Sequence, residues 1–126
     1  MSVAVTVDDL RAEIGRFGPT PYLLTVSDDG RPHSVAVTVA WGGEELVMKC
    51  GRRTAANLRA RPLVSLLWPP IEPGGYSLIV DGDARMEGTG DAAVVAVAPT
   101  RGVLHRPSAE APRPGASCAD DCVRLR

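Results

Sequence analysis

The residues best suited to chemistry in this sequence are two arginines and a threonine, Arg52, Arg53 and Thr54, at the point where a strand pattern changes to a helical one. Thr54 is a plausible N-cap, and Pro62 ends the predicted helix. The first amides of a helix are unpaired and its dipole is positive there, so each arginine costs about 0.3 to 1 kcal/mol. A bound phosphate would offset that cost. The alternative is that both arginines simply point into solvent.

Other reactive side chains are scattered along the chain. His33 and His105 are expected to be half-exposed; either could be an axial haem ligand, although neither lies in a ligand motif. Cys50 ends a predicted strand beside the helix start and the arginines, which would lower the pKa of an exposed thiol, but a packing role is favoured. Cys118 and Cys122 lack the spacing and partners of a zinc site. No metal is therefore predicted, and any enzymatic activity would depend on a cofactor.

Composition narrows the function classes. The 126 residues suit one domain, and a formal net charge of -1 gives no basic field for nucleic acid. Of the 14 basic residues only Lys49 is a lysine, which is typical of a GC-rich genome. No long apolar run and no basic leader are present, so we expect a cytoplasmic protein that does not bind membranes. Three cysteines, an odd number, argue against a disulfide framework.

Apolar periodicity predicts a mainly β domain with short helices. A first helix capped by Asp8 or Asp9 should end near Gly18, and a last helix capped by Asp91 should cover residues 92–98. Strands are predicted over residues 22–26, 32–41, 45–50, 63–68 and 76–87, the last with a bulge at Gly82. Asp81, Asp83 and Glu87 share one face of it, which is best explained as solvated.

Five or six antiparallel strands joined by short turns favour a small barrel over a βαβ fold. Such a barrel leaves apolar outer surface, and a second copy of the chain would cover it. From Pro107 onward the sequence is poor in apolar core residues, so residues 108–126 are predicted to form a C-terminal tail.

Two segments, TVSDDGRPHSVAVTVAW and CGRRTAANLRARPLVSLLWPP, resemble the first hairpin and the phosphate loop of the pyridoxamine 5'-phosphate oxidase-like split β-barrel flavoproteins. That group includes FMN enzymes, F420-dependent reductases and some haem-handling proteins. The likeness covers residues 22–107. It implies an antiparallel, Greek-key-like split β-barrel over residues 1–107 that forms a homodimer, with the cofactor at the dimer interface.

The resemblance also implies a set of cofactor-binding residues. Arg52, Arg53 and Thr54 would hold the phosphate, and the helix continues through Asn57. The backbone of the strand around Val37 would lie along the flavin ring, with Met48 and Cys50 on the neighbouring strand and Trp68 of the other copy as a cover. The complete set is Val35, Ala36, Val37, Thr38, Met48, Cys50, Arg52, Arg53, Thr54, Asn57 and Trp68.

Some positions depart from the family pattern. Many members have a lysine where this chain has Thr54, and the oxidase proper has basic residues where Val35 and Ala40 stand. The tail also lacks the segment with which the oxidase grips pyridoxal phosphate. Oxidation of vitamin B6 is therefore disfavoured.

These features predict a flavin-dependent oxidoreductase that transfers hydride between its cofactor and a small molecule that the sequence does not name. The cofactor would be FMN, with F420 or haem as alternatives. A second hypothesis is a non-catalytic flavin- or haem-binding protein. A third is a barrel without a cofactor that acts as a dimeric interaction partner.

Overall fold

The computed structural model describes residues 2–90 and 93–107, which form one curled antiparallel sheet and two helices. Within this part of the chain, neither helix is long and apolar enough to cross a membrane. The elements in chain order are β1 Ser2–Val5, α1 Val7–Phe17, β2 Tyr22–Val26, β3 Pro32–Ala36, β4 Ala40–Gly42, β5 Glu45–Lys49, α2 Arg52–Ala60, β6 Leu63–Trp68, β7 Ser77–Glu87 and β8 Val94–His105.

The sheet closes into a barrel through a single stretch of chain. Its strand order is β3-β2-β6-β7-β8-β5-β4, with β1 added alongside β8, so the two outermost strands of this order, β3 and β4, are consecutive in sequence. Residues 37–39 join them, and the Val37 and Val39 amides donate to the carbonyls of Pro21 (3.0 Å) and Pro19 (2.8 Å). The predicted single strand over residues 32–41 is thus divided between two neighbours, because it must leave β2 to reach β5.

Alternating side chains from the strands fill the barrel. Leu66, Leu78 and Val80 are fully buried, and α1 adds Leu10 and Ile14 from one end. Gly102 of β8 lets α1 lie close, since a Cβ at that position would collide with the Leu10 side chain. The core therefore depends on close contact between α1 and β8.

The long strand β7 confirms two predictions. Its pairing with β8 shifts register between Asp81 and Gly82, and a Cβ on Gly82 would lie 2.7 Å from the Ala98 carbonyl oxygen. The bulge is therefore where the sequence places it. Asp83 and Glu87 are exposed on the outer face, as expected for solvated carboxylates. Asp81, the third residue of the predicted row, is half-buried and accepts a hydrogen bond from the Ser65 hydroxyl at 2.6 Å.

The predicted last helix over residues 92–98 is wrong. Val94–His105 is instead a strand that pairs with β7 along one side and with β5 and β1 along the other. Pairing on both edges and burial of Val95 and Val97 outweigh the helical propensity of the alanines. The predicted cap Asp91 and Ala92 lie outside the described residues.

Two further predictions need correction at the start of the chain. Thr6, and neither Asp8 nor Asp9, caps α1, and its hydroxyl accepts from the Asp9 amide at 3.3 Å. Ser2–Val5 forms a strand against β8 that the periodicity did not indicate, so the described residues contain eight strands and not five or six. A mainly β antiparallel barrel with short helices is nevertheless confirmed.

Candidate functional site

The helix α2 begins three residues before the predicted position. Gly51 is its N-cap, in an extended conformation and without a side-chain bond to the helix, and the first helical amide bond runs from Ala55 to the Gly51 carbonyl at 3.0 Å. Thr54 is therefore not the cap: it is buried in the first turn, facing the barrel. The amides of Arg52, Arg53 and Thr54 have no acceptor within the helix.

A cleft of about 420 Å³, here called the helix-end cleft, opens in front of this turn. It is bounded by the start of α2, by the end of β5 and by the strand β3 with its extension. Seven of the predicted cofactor residues line it, together with His33, Lys49 and Gly51; these seven are Val35, Ala36, Val37, Cys50, Arg52, Arg53 and Thr54.

Arg52 and Arg53 leave this cleft positively charged. Both are exposed, and among the described residues neither forms an ion pair or a hydrogen bond through its guanidinium. The pKa of the nearby Asp29 carboxyl is lowered mainly by hydrogen bonds from the Ser27 hydroxyl and the Arg31 amide, and only slightly by the charge of Arg53. Two unpaired guanidinium groups and three free amides thus meet at one end of the cleft.

A second space of about 610 Å³, the apolar cleft, continues from the first along the barrel. Ala36, Val37 and Lys49 belong to both clefts, so the two form one groove. Thr38 and Met48, two more predicted residues, lie in the apolar cleft. Met48 is only 2% exposed and packs in the core, so it offers the cleft little side-chain surface.

The chain between β3 and β4 presents free backbone groups to this groove. Val37 and Val39 direct their amides toward Pro21 and Pro19. Because amides alternate along an extended strand, those of Ala36 and Thr38 point to the opposite edge. That edge lacks a partner strand in the described sheet, and both residues line the groove.

His33 of β3 and Cys50, the residue after β5, both line the helix-end cleft. His33 Nδ1 is buried and has no hydrogen-bond partner in the described structure, a state that costs about 1 to 3 kcal/mol when nothing completes it. Burial raises the pKa of the half-buried Cys50 thiol, and the charge of Arg59 opposes that shift only partly. Cys50 therefore packs against the core and is not an activated thiolate.

Two predicted cofactor residues lie away from the groove. Asn57 is buried, and its Nδ2 donates to Thr25 Oγ1 at 3.0 Å, which fastens α2 to β2. Trp68 is 2% exposed and its Nε1 donates to the Gly18 carbonyl at 2.7 Å. The Trp68 ring is therefore packed inside its own barrel and leaves almost no surface exposed to a second copy.

Residues that the sequence interpretation passed over also line the groove. Thr20, Val47 and Val94 come from separate elements, and no local pattern marks them. His33, which the sequence offers as a possible haem ligand, is two residues before Val35 and shares its strand face. His105, by contrast, lines neither cleft and contacts the Ser2 hydroxyl, with 3.0 Å between Nδ1 and Oγ.

The groove fits a ligand with an anionic end and an extended, largely apolar body. Free amides and two guanidinium groups suit a phosphate, and the unpaired His33 nitrogen calls for a further polar group. A Cβ added to Gly51 would meet nothing within 4 Å, so open space remains directly in front of the helix.

No family model matches the chain. It is 42% identical over 119 residues to an uncharacterized protein of Mycobacterium bovis, with 83% of this chain and 84% of that protein covered. The same figures hold for an uncharacterized protein of Mycobacterium tuberculosis.

Three solved structures share the fold. A candidate pyridoxamine 5'-phosphate oxidase from Listeria innocua has a TM-score of 0.64 at 20% identity, covering 78% of this chain and 96% of that one. HutZ, the heme storage protein from Vibrio cholerae, has a TM-score of 0.60 at 19% identity, with 77% and 94% covered. An F420 reductase has a TM-score of 0.53 at 24% identity, with 65% and 86% covered. The chain therefore belongs to one family with the two mycobacterial proteins, and its fold is that of the pyridoxamine 5'-phosphate oxidase-like split β-barrel proteins.

Proposed function

We propose that this protein is a flavin-dependent oxidoreductase that holds FMN or F420 along the groove, with the cofactor phosphate at the start of α2. The observation that carries the proposal is the meeting of Arg52, Arg53 and three free helix amides at one end of a groove that is apolar at its other end. A helix N-terminus alone is a weak signal. Here two unpaired guanidinium groups and a continuous cleft accompany it.

Each part of the groove has a separate role in this proposal. The arginines and the amides of the first helical turn bind the phosphate through charge-assisted hydrogen bonds. The amides of Ala36 and Thr38 orient the polar edge of the ring, and the apolar cleft excludes water from its face. The bound cofactor would supply the hydride chemistry, which needs no acid or base from the protein.

The proposal includes a homodimer. Tyr22, Leu67, Ile79 and Val103 are cross-strand neighbours in one row on the outer face of the sheet, and Tyr22 is 44% exposed. Ala36 pairs with Tyr22 at the end of this row and also lines both clefts. A second copy packed on the row would cover its apolar surface and border the groove.

Ligand-dependent stabilisation of the full chain tests the cofactor. We expect FMN or F420 to raise the melting temperature saturably, since a ligand that binds only the folded state stabilises it. Arg53→Ala should weaken the affinity at least about tenfold, because it removes one charge-assisted contact. Arg101→Ala is the matched control, since Arg101 is exposed, pairs with Asp81 and lines neither cleft. No stabilisation by either cofactor, or equal affinity in Arg53→Ala, would contradict the proposal.

Activity needs its own measurement. Anaerobic stopped-flow absorbance would follow the bound cofactor after mixing with NADPH, and then after mixing the reduced protein with a quinone. Rapid reduction and reoxidation support an oxidoreductase. A bound cofactor that exchanges no electrons with either reagent would indicate a carrier.

One observation favours a second candidate, a haem-binding protein. His33 lines the helix-end cleft with an unpaired ring nitrogen, and imidazole is a common axial ligand of haem iron. Haemin titration would then give a saturable Soret shift that is lost in His33→Ala. A Soret shift that is unchanged in His33→Ala would assign haem elsewhere.

A further inference from the structure

Lys49 is the only lysine in the chain and lies where the two clefts join. It is the last residue of β5 and pairs with Val94 of β8. Its side chain is exposed, and no described residue forms an ion pair or a hydrogen bond with its ammonium group. The ammonium group is thus a positive charge without a partner in the described protein.

Lys49 is the only charged residue among the described residues that line the apolar cleft. The rest of the lining is uncharged: two threonines, Thr20 and Thr38, and otherwise alanine, valine and methionine. A space of about 610 Å³ is in the size range of small-molecule sites, which combine apolar walls with a few polar groups. The lining therefore favours a ligand that is mostly apolar and carries one negative group.

The two arginines do not supply the positive charge of the apolar cleft, because they lie in the other cleft. Arg52 and Arg53 line the helix-end cleft and not the apolar cleft. A lysine also differs from them chemically: its ammonium is a compact point charge, whereas a guanidinium is a planar fork suited to phosphates. The groove thus carries two kinds of cation, the guanidinium groups in the helix-end cleft and one ammonium group where the two clefts join.

We infer that the apolar cleft binds a small molecule with an apolar body and a single anionic group such as a carboxylate, and that Lys49 holds this group. The inference rests on the proposed function only in treating this molecule as the substrate beside the cofactor. The binding itself depends on the cleft and on Lys49 alone.

A set of three probes that differ only in charge tests the inference. The ¹⁵N-labelled full chain would be titrated by NMR with 4-phenylbutyrate, its neutral amide and 4-phenylbutylamine. The carboxylate should bind about fivefold more tightly than the amide, the effect of one partly exposed ion pair, and the amine most weakly. Amide shifts should centre on Thr20, Thr38 and Val47.

Variants then assign the preference to Lys49. Lys49→Met should remove the difference between carboxylate and amide, while Lys49→Arg should keep most of it. Arg16→Met is the control for general charge, because Arg16 lies on α1 and pairs with Glu13. A preference that survives in Lys49→Met, or shifts that centre on Arg52 and Arg53, would overturn the inference.

Titration with FMN separates this inference from the proposed function. If FMN fails to bind but the carboxylate preference persists and depends on Lys49, the cofactor proposal fails and the inference stands. If Lys49→Met loses FMN affinity as Arg53→Ala does and shows no change toward the probes, the lysine belongs to the cofactor site and the inference is wrong.

Discussion

Substituting Gly51 by aspartate separates the folding role of the α2 N-terminus from its binding role. Gly51 caps the helix without a side-chain bond, its φ of -80° suits any residue, and an added Cβ has free space. An aspartate carboxylate there can accept from the amides of the first turn. It would also place a fixed negative charge beside Arg52 and Arg53, where the phosphate is proposed to bind.

We expect Gly51→Asp to stabilise the ligand-free protein. Replacing glycine at an unstrained position contributes about 0.4 to 1 kcal/mol through the unfolded chain, and the N-cap bond adds a few tenths. Favourable interaction with the helix dipole adds about 0.3 to 1 kcal/mol. The sum, about 1 to 2 kcal/mol, corresponds to a rise in melting temperature of about 3 to 8 °C for a domain of this size.

The same substitution should weaken the binding of FMN. Two unit charges 4 Å apart interact by about 1 to 4 kcal/mol at dielectric constants between those of water and a protein surface. Repulsion of the phosphate therefore lowers the affinity by a factor of about five to a thousand. Melting without ligand and isothermal titration with FMN measure the two effects separately.

Gly51→Asn is the matched control, because asparagine caps the helix as well as aspartate does but carries no charge. It should retain much of the stability gain and lose far less affinity. A stabilised Gly51→Asp that binds FMN like the parent would refute the anion site. A destabilised one would refute the assignment of Gly51 as N-cap.

Three further substitutions test the fold around the groove. Gly102→Ala should lower the free energy of unfolding by about 1 to 3 kcal/mol, because the added methyl group forces Leu10 aside. Adding Leu10→Ala should recover part of that loss, as measured by urea denaturation of the single and double variants. Trp68→Phe should lower the free energy of unfolding by about 1 to 3 kcal/mol, because it leaves the Gly18 carbonyl without its donor. The affinity for FMN should stay unchanged in titration. A loss of affinity would show that Trp68 belongs to the binding site. Because burial raises the pKa of the Cys50 thiol, the unfolded chain loses that proton first as the pH rises. The free energy of unfolding should therefore fall above the ordinary thiol pKa of 9.0, and Cys50→Ser should flatten this part of the pH profile.

The sequence predicted those parts of the fold that depend on local pattern. Alternation placed β2 and β6, and the glycine within β7 marked its bulge. The run before Pro99 was misassigned as a helix because alanine and valine there give no clear period. Its state is set by pairing with three other strands, which no short window contains.

The groove shows the same difference between features set by local sequence and features set by the fold. Arg52 and Arg53 were identified because they stand in one short segment with the helix start. The residue types of Trp68 and Asn57 suit a ligand site, but the fold directs both side chains inward and away from the groove. From the sequence, Lys49 stands out only as the single lysine of the chain. Its position between the two clefts depends on the pairing of β5 with β8, which the sequence does not show.

The buried residues of α2 fix the position of the proposed anion site. Asn57 fastens α2 to β2 through Thr25, and Thr54 and Leu58 bury the same helix face against the barrel. With that face fixed, the free amides of the first turn keep their direction before any ligand arrives, and Arg52 and Arg53 already line the helix-end cleft. A site arranged in advance loses little conformational entropy on binding, so more of the electrostatic attraction is retained as affinity. The buried side of α2 is therefore as necessary to the proposed anion site as the charged residues that would touch the anion.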